Sequence, residues 1–352
     1  MGKRIAMVGA GALGGYVGGY LAQQGQDVTL IDMWPENIDA IRTRGLELDG
    51  VTPEEKFTVK NVKTLHLTEV QSLSKEAPID IAFVSVKSYD TEWATMLIKP
   101  YLAPDGYIVS LQNCVNEEKI AGIVGWGKTV GVIASVISVE MFDAARIRRT
   151  AAKGGDKHTV FRVGEVHGVV TRRVQELVAM FSKIDSAKAS TNLWGERWAK
   201  LSQNGMRNGV SAITGLTSPQ CDLNPAVRRF AIQLGGEAVR VAQALGYELE
   251  KIGGVKPDLL ALAAGGNTDA MAEVEEHMEA RAKENPRGDM QRPSMAQDIG
   301  KSRRTEIDFM NGYIVEKGRM LGIPTPSHEK LVDLVTRLER GELQATPSHL
   351  GG

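Results

Sequence analysis

The stretch Arg4–Gly14, RIAMVGAGALG, decides the fold. Arg4 to Val8 is a short apolar run, and Gly9, Gly11 and Gly14 follow at once, ahead of a segment, Gly15 to Gln24, that can be helical. A second apolar run, Asp27 to Ile31, ends in Asp32, eighteen positions past Gly14. Strand, glycine turn, helix, and a second strand closed by an acid is the order a dinucleotide-binding fold needs. In this reading Gly9 permits the tight turn, Gly11 lets the backbone approach a pyrophosphate, and Gly14 lets helix pack closely on strand. Ala12 and Leu13 open the helix, whose unpaired N–H groups face the phosphates. The competing reading is a glycine-rich structural turn. Asp32 can accept hydrogen bonds from a ribose 2′-OH and repels a 2′-phosphate, which favours NAD over NADP as cofactor. It can equally cap a helix starting at Pro35-Glu36.

Two further runs, Ile79 to Val86 and Tyr107 to Leu111, have the continuous apolar character of strands in a parallel sheet covered on both faces. The first leads into Lys87-Ser88 and the second into Gln112-Asn113. Ligands of open α/β sheets lie beyond the carboxyl ends of strands, so Lys87 and Asn113 are candidate cleft residues, although loops at strand ends are polar for reasons of exposure as well. More β-rich sequence, Thr129 to Val139 and His158 to Val163, precedes a helical stretch, Thr171 to Ile184. The polar, aperiodic segment Asp185 to Asn192 is the expected domain boundary. Beyond it the pattern is helical: Trp194 to Gly215, Pro225 to Leu245, Asp258 to Ala264, Asp269 to Glu284 and Ser294 to Leu321. The expected fold class is α/β, a Rossmann-type dinucleotide-binding domain over 1–191 followed by an all-helical substrate and dimerisation domain over 192–343, with a loose tail over 344–352.

Composition sets the outer bounds. A chain of 352 residues with 42% hydrophobic and 24% charged residues has the makeup of about two globular domains. A formal net charge of −1 gives no electrostatic reason to expect nucleic acid, so the expected partner is a small-molecule substrate. Lys3-Arg4 before an apolar run superficially resembles a secretory signal, but the glycines there belong to the turn just described and no small-residue cleavage site follows. No apolar run is long enough to span a bilayer, and two cysteines, Cys114 and Cys221, are too few for a disulfide framework, so a cytoplasmic protein is expected. The six histidines are scattered without ligand spacing, which gives no support for a metal.

In AKLSQNGMRNG, residues 199–209, Lys200, Asn204 and Asn208 recur every four residues and share one stripe of a helix. A solvent-facing stripe is one explanation. The other is a wall of an active site between the two domains, a common position for ligand pockets. There an ammonium can stabilise and then protonate the oxygen of a carbonyl that accepts hydride, and two amides can orient a carboxylate or hydroxyl without adding charge.

At this point the chain resembles the ketopantoate reductase family over nearly its whole length. GAGALGG, VSVKSYDT with LQN, WAKLSQNGMRN, and SMAQDIGKSRRTEIDFMNG followed by GIPTP carry the resemblance. It implies NAD(P)H-dependent reduction of a 2-keto acid to a 2-hydroxy acid. It also implies that Lys200 is the catalytic acid, with Glu306 assisting it or binding substrate. Ser294 matches a substrate-carboxylate contact, Asn204 and Asn208 substrate-orienting amides, Asn113 an amide between cofactor and substrate, and Lys87 a cofactor-side lysine. Taken without the resemblance, Glu306 reads as a surface ion pair with Arg303 or Arg304, and Ser294 as a helix N-cap.

Three departures bear on the substrate. NADP-using members that make pantoate usually carry a basic or neutral residue where Asp32 stands, and Cys114 stands where the family commonly has glycine. The segment Glu250 to Arg292, with the charged run EVEEHMEARAKENPRGD, is longer than the usual connection, and such a run also reads as a solvated helix face. NAD-linked oxidation of a different, bulkier secondary alcohol therefore stands beside pantoate formation, and a non-catalytic dinucleotide-binding protein stands as a different class. A homodimer is expected from helices as long as Ser294 to Leu321.

Overall fold

The computed structural model describes residues 2–284 and 292–351, and the chain divides into two compact units between Leu193 and Trp194. The N-terminal unit is built on strand β1 (Arg4–Val8), helix α1 (Ala12–Gln23), β2 (Asp27–Asp32), α2 (Pro35–Arg44), β3 (Leu46–Asp49), β4 (Phe57–Val59), β5 (Lys63–His66), β6 (Ile79–Val84), α3 (Thr91–Ile98), β7 (Leu102–Ser110), α4 (Glu117–Val124), β8 (Thr129–Ala134), β9 (Val139–Asp143), β10 (Arg146–Arg149), β11 (Phe161–Glu165), α5 (Arg172–Phe181) and β12 (Ala187–Ser190). Eight strands form the main sheet in the order β12-β11-β8-β7-β6-β1-β2-β5, parallel throughout except where β11 runs against β8.

Alternation along β1 shows why the sheet needs helices on both faces. Ile5 and Met7 join one buried cluster with Val17, Leu30, Phe83 and Phe181, whereas Ala6 and Val8 join another with Ile31, Ala94, Ile98 and Ile120. A sheet apolar on both faces has to be covered on both, which the βα connections achieve.

A second sheet, β4-β3-β10-β9, was not expected from the sequence. The run read as β-rich, Thr129 to Val139, is interrupted after Ala134. Val136 and Ser138 take positive φ of 54° and 45°, and the chain then enters β9 in the small sheet. That sheet lies on the outer side of α1. A Cβ added at Gly15 would stand 2.5 Å from Ile147 Cδ1, and one at Gly19 2.9 Å from Leu48 Cδ1, while one at Gly18 would meet Leu30 of the main sheet at 2.6 Å. The glycines of α1 thus allow a helix to be packed between two sheets.

The segment read as an aperiodic boundary, Asp185 to Asn192, carries β12, which pairs parallel to β11. Its first residue explains the insertion. Asp185 forms an ion pair at 2.6 Å with Arg149 at the end of β10, both side chains being essentially inaccessible, and accepts the N–H groups of Gly154 and Ser186. Tyr16 Oη receives a further Arg149 N–H at 3.3 Å.

The C-terminal unit is helical: α6 (Leu193–Gly205), α7 (Asn208–Thr214), α8 (Ser218–Leu223), α9 (Pro225–Ala244), α10 (Pro257–Ala264), α11 (Thr268–Lys283), α12 (Ser294–Gly300), α13 (Ile307–Leu321) and α14 (Pro326–Glu339), with α6 beginning at the boundary itself. Two helices expected to be continuous are broken. Trp194 to Gly215 is α6 and α7, separated at Met206-Arg207, and Ser294 to Leu321 is α12 and α13, separated over 301–306. The long helix on which a homodimer was expected is therefore two shorter ones. In α11, Ala270, Val274, Met278 and Ala282 form a buried stripe, and Glu275 and Glu279 pair with Arg228. This part of the charged run is an amphipathic helix, and 285–291 lie outside the described residues. The tail expected to be loose is docked: Thr346 N–H donates to the Ile213 carbonyl at 2.8 Å and Leu350 is buried.

Burial works against the Asp185 charge, but the Ser186 N–H and the Arg149 guanidinium outweigh it and hold the carboxyl below its ordinary 3.8. A carboxyl depressed in the folded state stabilises above its unfolded pKa, and that contribution is lost as pH falls through the lower folded value. Asp185→Ala should cost about 3–5 kcal/mol in urea unfolding at neutral pH, because Arg149 is left buried and unpaired. Asp185→Asn should flatten the decline in stability below about pH 4.

Candidate active site

The glycine turn is shaped by what surrounds it. Gly9 has φ of 98°, and a Cβ there would lie 2.8 Å from the backbone of Ser85 and Val86 just past β6. One at Gly14 would lie 2.0 Å from the Gly9 carbonyl oxygen and 2.9 Å from Ser85 Cβ. Gly11 differs: its φ is −70° and a Cβ would meet nothing within 4 Å. It is the N-cap of α1, with no side-chain cap and no acid in the first turn. The first four N–H groups of a helix lack intrahelical acceptors, here those of Gly11, Ala12, Leu13 and Gly14. Open space, free donors and the positive end of the helix dipole fit a dinucleotide pyrophosphate.

Asp32 is anchored to this turn. Its Oδ2 accepts the Ala10 N–H at 2.6 Å and its Oδ1 the Trp34 N–H at 2.9 Å. Burial raises the carboxyl above its ordinary range, opposed by the backbone donors of Trp34, Ala10 and Met33. Asp32 does not cap α2, whose N-cap is Trp34. Sequence reading missed Asn37, which is fully buried. Its Nδ2 donates to the Ala10 carbonyl at 3.2 Å and its Oδ1 accepts the Ala145 N–H at 2.8 Å, tying the turn to the small sheet. An asparagine inside an amphipathic helix carries no pattern that would have flagged it.

The ends of β6 and β7 are cross-linked. Gln112 Nε2 donates to the Val86 carbonyl at 2.8 Å and to Thr91 Oγ1 at 2.9 Å. Asn116 Nδ2 donates to the Asn113 carbonyl at 2.8 Å and to Ser88 Oγ at 3.1 Å. Cys114 has φ of 61°, the left-handed conformation in which glycine is strain-free, so a backbone reason exists for the glycine that the resemblance led one to expect here. Lys87 is half-buried and its carbonyl accepts the Asp90 N–H at 2.9 Å, which starts the turn into α3. Asn113 is also half-buried, with its backbone fixed by Asn116.

In the helical unit, Lys200 and Asn204 lie one turn apart on α6, but Asn208 opens α7. The single stripe read from the sequence is therefore bent. The Arg207 N–H reaches back to Asn204 O at 3.0 Å, three residues instead of four, and the Arg207 side chain is held by Asp222 at 2.7 Å. The structure brings Asn208 to Ser294, with Nδ2 to Oγ at 3.5 Å across 86 positions of sequence. Ser294 is the first residue of α12 and not its cap, which is Pro293. Glu306 is buried at the N-cap position of α13, and Arg304 pairs with Asp308 at 3.6 Å. The candidates thus fall into two groups. Gly9, Gly11, Ala12, Leu13, Gly14, Asp32, Lys87 and Asn113 are in the first unit, and Lys200, Asn204, Asn208, Ser294 and Glu306 in the second. Among the described residues no cluster of three or more His, Cys, Asp or Glu could hold a metal ion, and no helix is long and apolar enough to cross a membrane.

Comparison with known proteins adds an independent finding. The family model for ketopantoate reductase PanE/ApbA matches residues 5–158, and that for its C terminal part matches 192–339. A 2-dehydropantoate 2-reductase of Archaeoglobus fulgidus is 28% identical over 340 residues, covering 96% of this chain and 99% of that protein. The crystal structure of a PanE/ApbA family ketopantoate reductase from Ralstonia eutropha JMP134 is similar with a TM-score of 0.77 at 28% identity, covering 97% of this chain and 99% of that one. D-mandelate dehydrogenase, in its ternary structure with NADH and anilino(oxo)acetate, shares the fold with a TM-score of 0.77 at 23% identity, covering 96% and 98%.

The contrast between Gly11 and Gly9 is testable. Gly11→Ala should leave the melting temperature unchanged, its stability cost staying within about 0.5 kcal/mol, since the added methyl meets no protein atom. It should weaken dinucleotide binding about tenfold or more in a fluorescence titration, because the methyl occupies the phosphate approach. Gly9→Ala should lose stability outright, by about 1–2 kcal/mol from backbone conformation alone.

Proposed function

This chain belongs to the ketopantoate reductase family and is an NAD(P)-dependent oxidoreductase acting on CH–OH groups; from that premise we propose that it interconverts a small 2-keto acid and its 2-hydroxy acid, with Lys200 as general acid and base. The observation that carries the reading is the pairing of Asn208 with Ser294, which joins two separately expected substrate contacts in one place. When bound, the reduced nicotinamide supplies the hydride. The turn from Gly9 to Gly14 holds the pyrophosphate on the N–H groups of α1, and Lys87 contributes from the β6 end. Ser294, Asn208 and Asn204 fix the substrate carboxylate and the oxygen to be protonated, and Asn113 orients the group between cofactor and substrate.

Negative charge grows on the carbonyl oxygen as the carbon is reduced. The Lys200 ammonium stabilises that charge and delivers its proton to the oxygen, leaving a neutral amine. In the oxidative direction the neutral amine removes the hydroxyl proton. Glu306 holds the lysine in place for that transfer.

Asp32 supports NAD as the preferred cofactor. Each carboxylate oxygen accepts one N–H from or beside the turn, an anchored acid of the kind that repels a 2′-phosphate, while its remaining lone pairs can accept a ribose hydroxyl. The same fold holds NADH in D-mandelate dehydrogenase. This residue also favours a second reading, NAD-linked oxidation of a bulkier secondary alcohol than pantoate.

Steady-state assays with NADH and NADPH over a panel of 2-keto acids, and with NAD over the matching alcohols, test both readings. The expected result is turnover with a preference for NADH of about tenfold or more in kcat/KM. Lys200→Ala should lower kcat by about 100- to 10,000-fold, the usual scale for a general acid, with cofactor affinity unchanged. Unaltered turnover in that variant removes Lys200 from the chemistry, and silence in every assay rejects the reaction.

A further inference from the structure

Helices of the C-terminal unit meet at a chain of buried polar groups that the proposed chemistry does not use. Asn311 on α13 and His328 on α14 are both 0% exposed. Asn311 Nδ2 lies 3.0 Å from the Gly205 carbonyl oxygen and 3.0 Å from His328 Nδ1. A carbonyl only accepts, so the amide nitrogen has to face Gly205, which settles the orientation of the amide. That nitrogen also faces Nδ1, which must then be an acceptor. The imidazole proton sits on Nε2 and is donated to the Leu234 carbonyl of α9 at 2.9 Å. Burial pushes the imidazole down to about 4, so it stays neutral in this tautomer at neutral pH.

The chain is anchored at its far end. The Glu237 carboxylate of α9 accepts the Ser327 N–H at 3.0 Å and the His328 N–H at 3.2 Å in the first turn of α14. So α9 fixes the start of α14, His328 fixes the Asn311 amide, and that amide holds the carbonyl of Gly205. Gly205 is the last residue of α6, between Asn204 and the break at Met206-Arg207. The break needs a donor there, because a carbonyl at a helix C-terminus lacks its intrahelical partner.

Packing alone does not account for Asn311. Its Oδ1 is buried without a hydrogen-bond partner among the described residues, which costs stability that an apolar side chain of similar size would avoid. Both amide N–H groups, by contrast, are used. We propose that Asn311 and His328 are positioning residues for the reaction. Through Gly205 they set the break between α6 and α7, and with it the placement of Lys200 and Asn204 relative to Asn208 and Ser294. The inference rests on the catalytic reading of α6 and α7 given above.

The test compares Asn311→Leu, His328→Leu and His328→Asn in the full chain, below the melting temperature of each, with active sites counted by nicotinamide titration. Asn311→Leu and His328→Leu should lower kcat per site about tenfold or more with cofactor Kd unchanged. His328→Asn, whose Oδ1 can stand in for Nδ1 as acceptor, should recover most of that loss. In an Asn208→Ala background the effect of Asn311→Leu should shrink, because residues acting through one contact are not additive. A lowered melting temperature with undiminished kcat in the leucine variants overturns the proposal. If those variants do not fold, Asn311→Ser and His328→Asn carry the test, and full kcat in Asn311→Ser overturns it. An active Lys200→Ala rejects the underlying reading, and this inference with it. An inactive Lys200→Ala beside a fully active Asn311→Leu rejects the inference alone.

Discussion

Hydrogen is the largest substituent that fits between the carboxyl end of β1 and the carboxyl end of β6. Gly9 turns there with a positive φ against the backbone of Ser85 and Val86, and Gly14 comes back within contact of the Gly9 carbonyl and the Ser85 side chain. This close approach brings the N-terminus of α1 to the carboxyl edge of the parallel sheet. A bulkier turn would lift α1 from the strands and carry its free N–H groups away from the ends of β6 and β7. Asp32 and Asn37 then hold the turn from either side by taking the N–H and the carbonyl of Ala10.

The same helix shows how far sequence reading reaches. The strand, turn and second strand from Arg4 to Asp32 were legible because each step has its own local signal: an apolar run, glycines at fixed spacing, and an acid at a strand end. The other glycines of α1 were not legible. Gly15 and Gly19 answer to Ile147 and Leu48, residues far along the chain in a sheet whose strands are only three to five residues long. Strands so short have too few positions for a two-residue period to stand out. The positive φ at Val136 and Ser138, which turns the chain into that sheet, falls on residue types that rarely adopt it, so no propensity rule places it. The strand inside the expected boundary segment, 185–192, was missed for a related reason. Four residues of β12 gain their place from pairing with β11 and from the buried Arg149–Asp185 contact, neither of which is local.

In the helical unit, periodicity located the helices but not their interruptions. The four-residue spacing of Lys200, Asn204 and Asn208 implies one stripe only while the helix runs on, and although Gly205 and the pair Asn208-Gly209 flank Met206-Arg207, glycines are tolerated inside helices, so they do not by themselves fix where it stops. What ends α6 is tertiary: Asp222 holds the Arg207 side chain and Asn311 takes the Gly205 carbonyl. Asn208 and Ser294 meet, although they were proposed on separate motifs and lie on separate helices.

On the reading proposed above, the break also changes what the motif would be for. On a continuous helix, Lys200, Asn204 and Asn208 would be spaced by 5.4 Å of rise per turn along one line, and any substrate touching all three would have to be extended. A bend at Met206-Arg207 replaces that line with two helix segments, so on the reading proposed above a short acid would be held by Asn208 and Ser294 while the Lys200 segment addresses its oxygen. Such an arrangement is only as good as the rigidity of the bend. A loop or helix end left to solvent would allow angstrom-scale drift, and misplacement of that order is enough to cost a large factor in rate. On the positioning role proposed above, burying the hinge carbonyl against an amide, and that amide against a neutral imidazole, would limit the drift without adding a charge. The cost is an oxygen on Asn311 that is buried without a hydrogen-bond partner among the described residues.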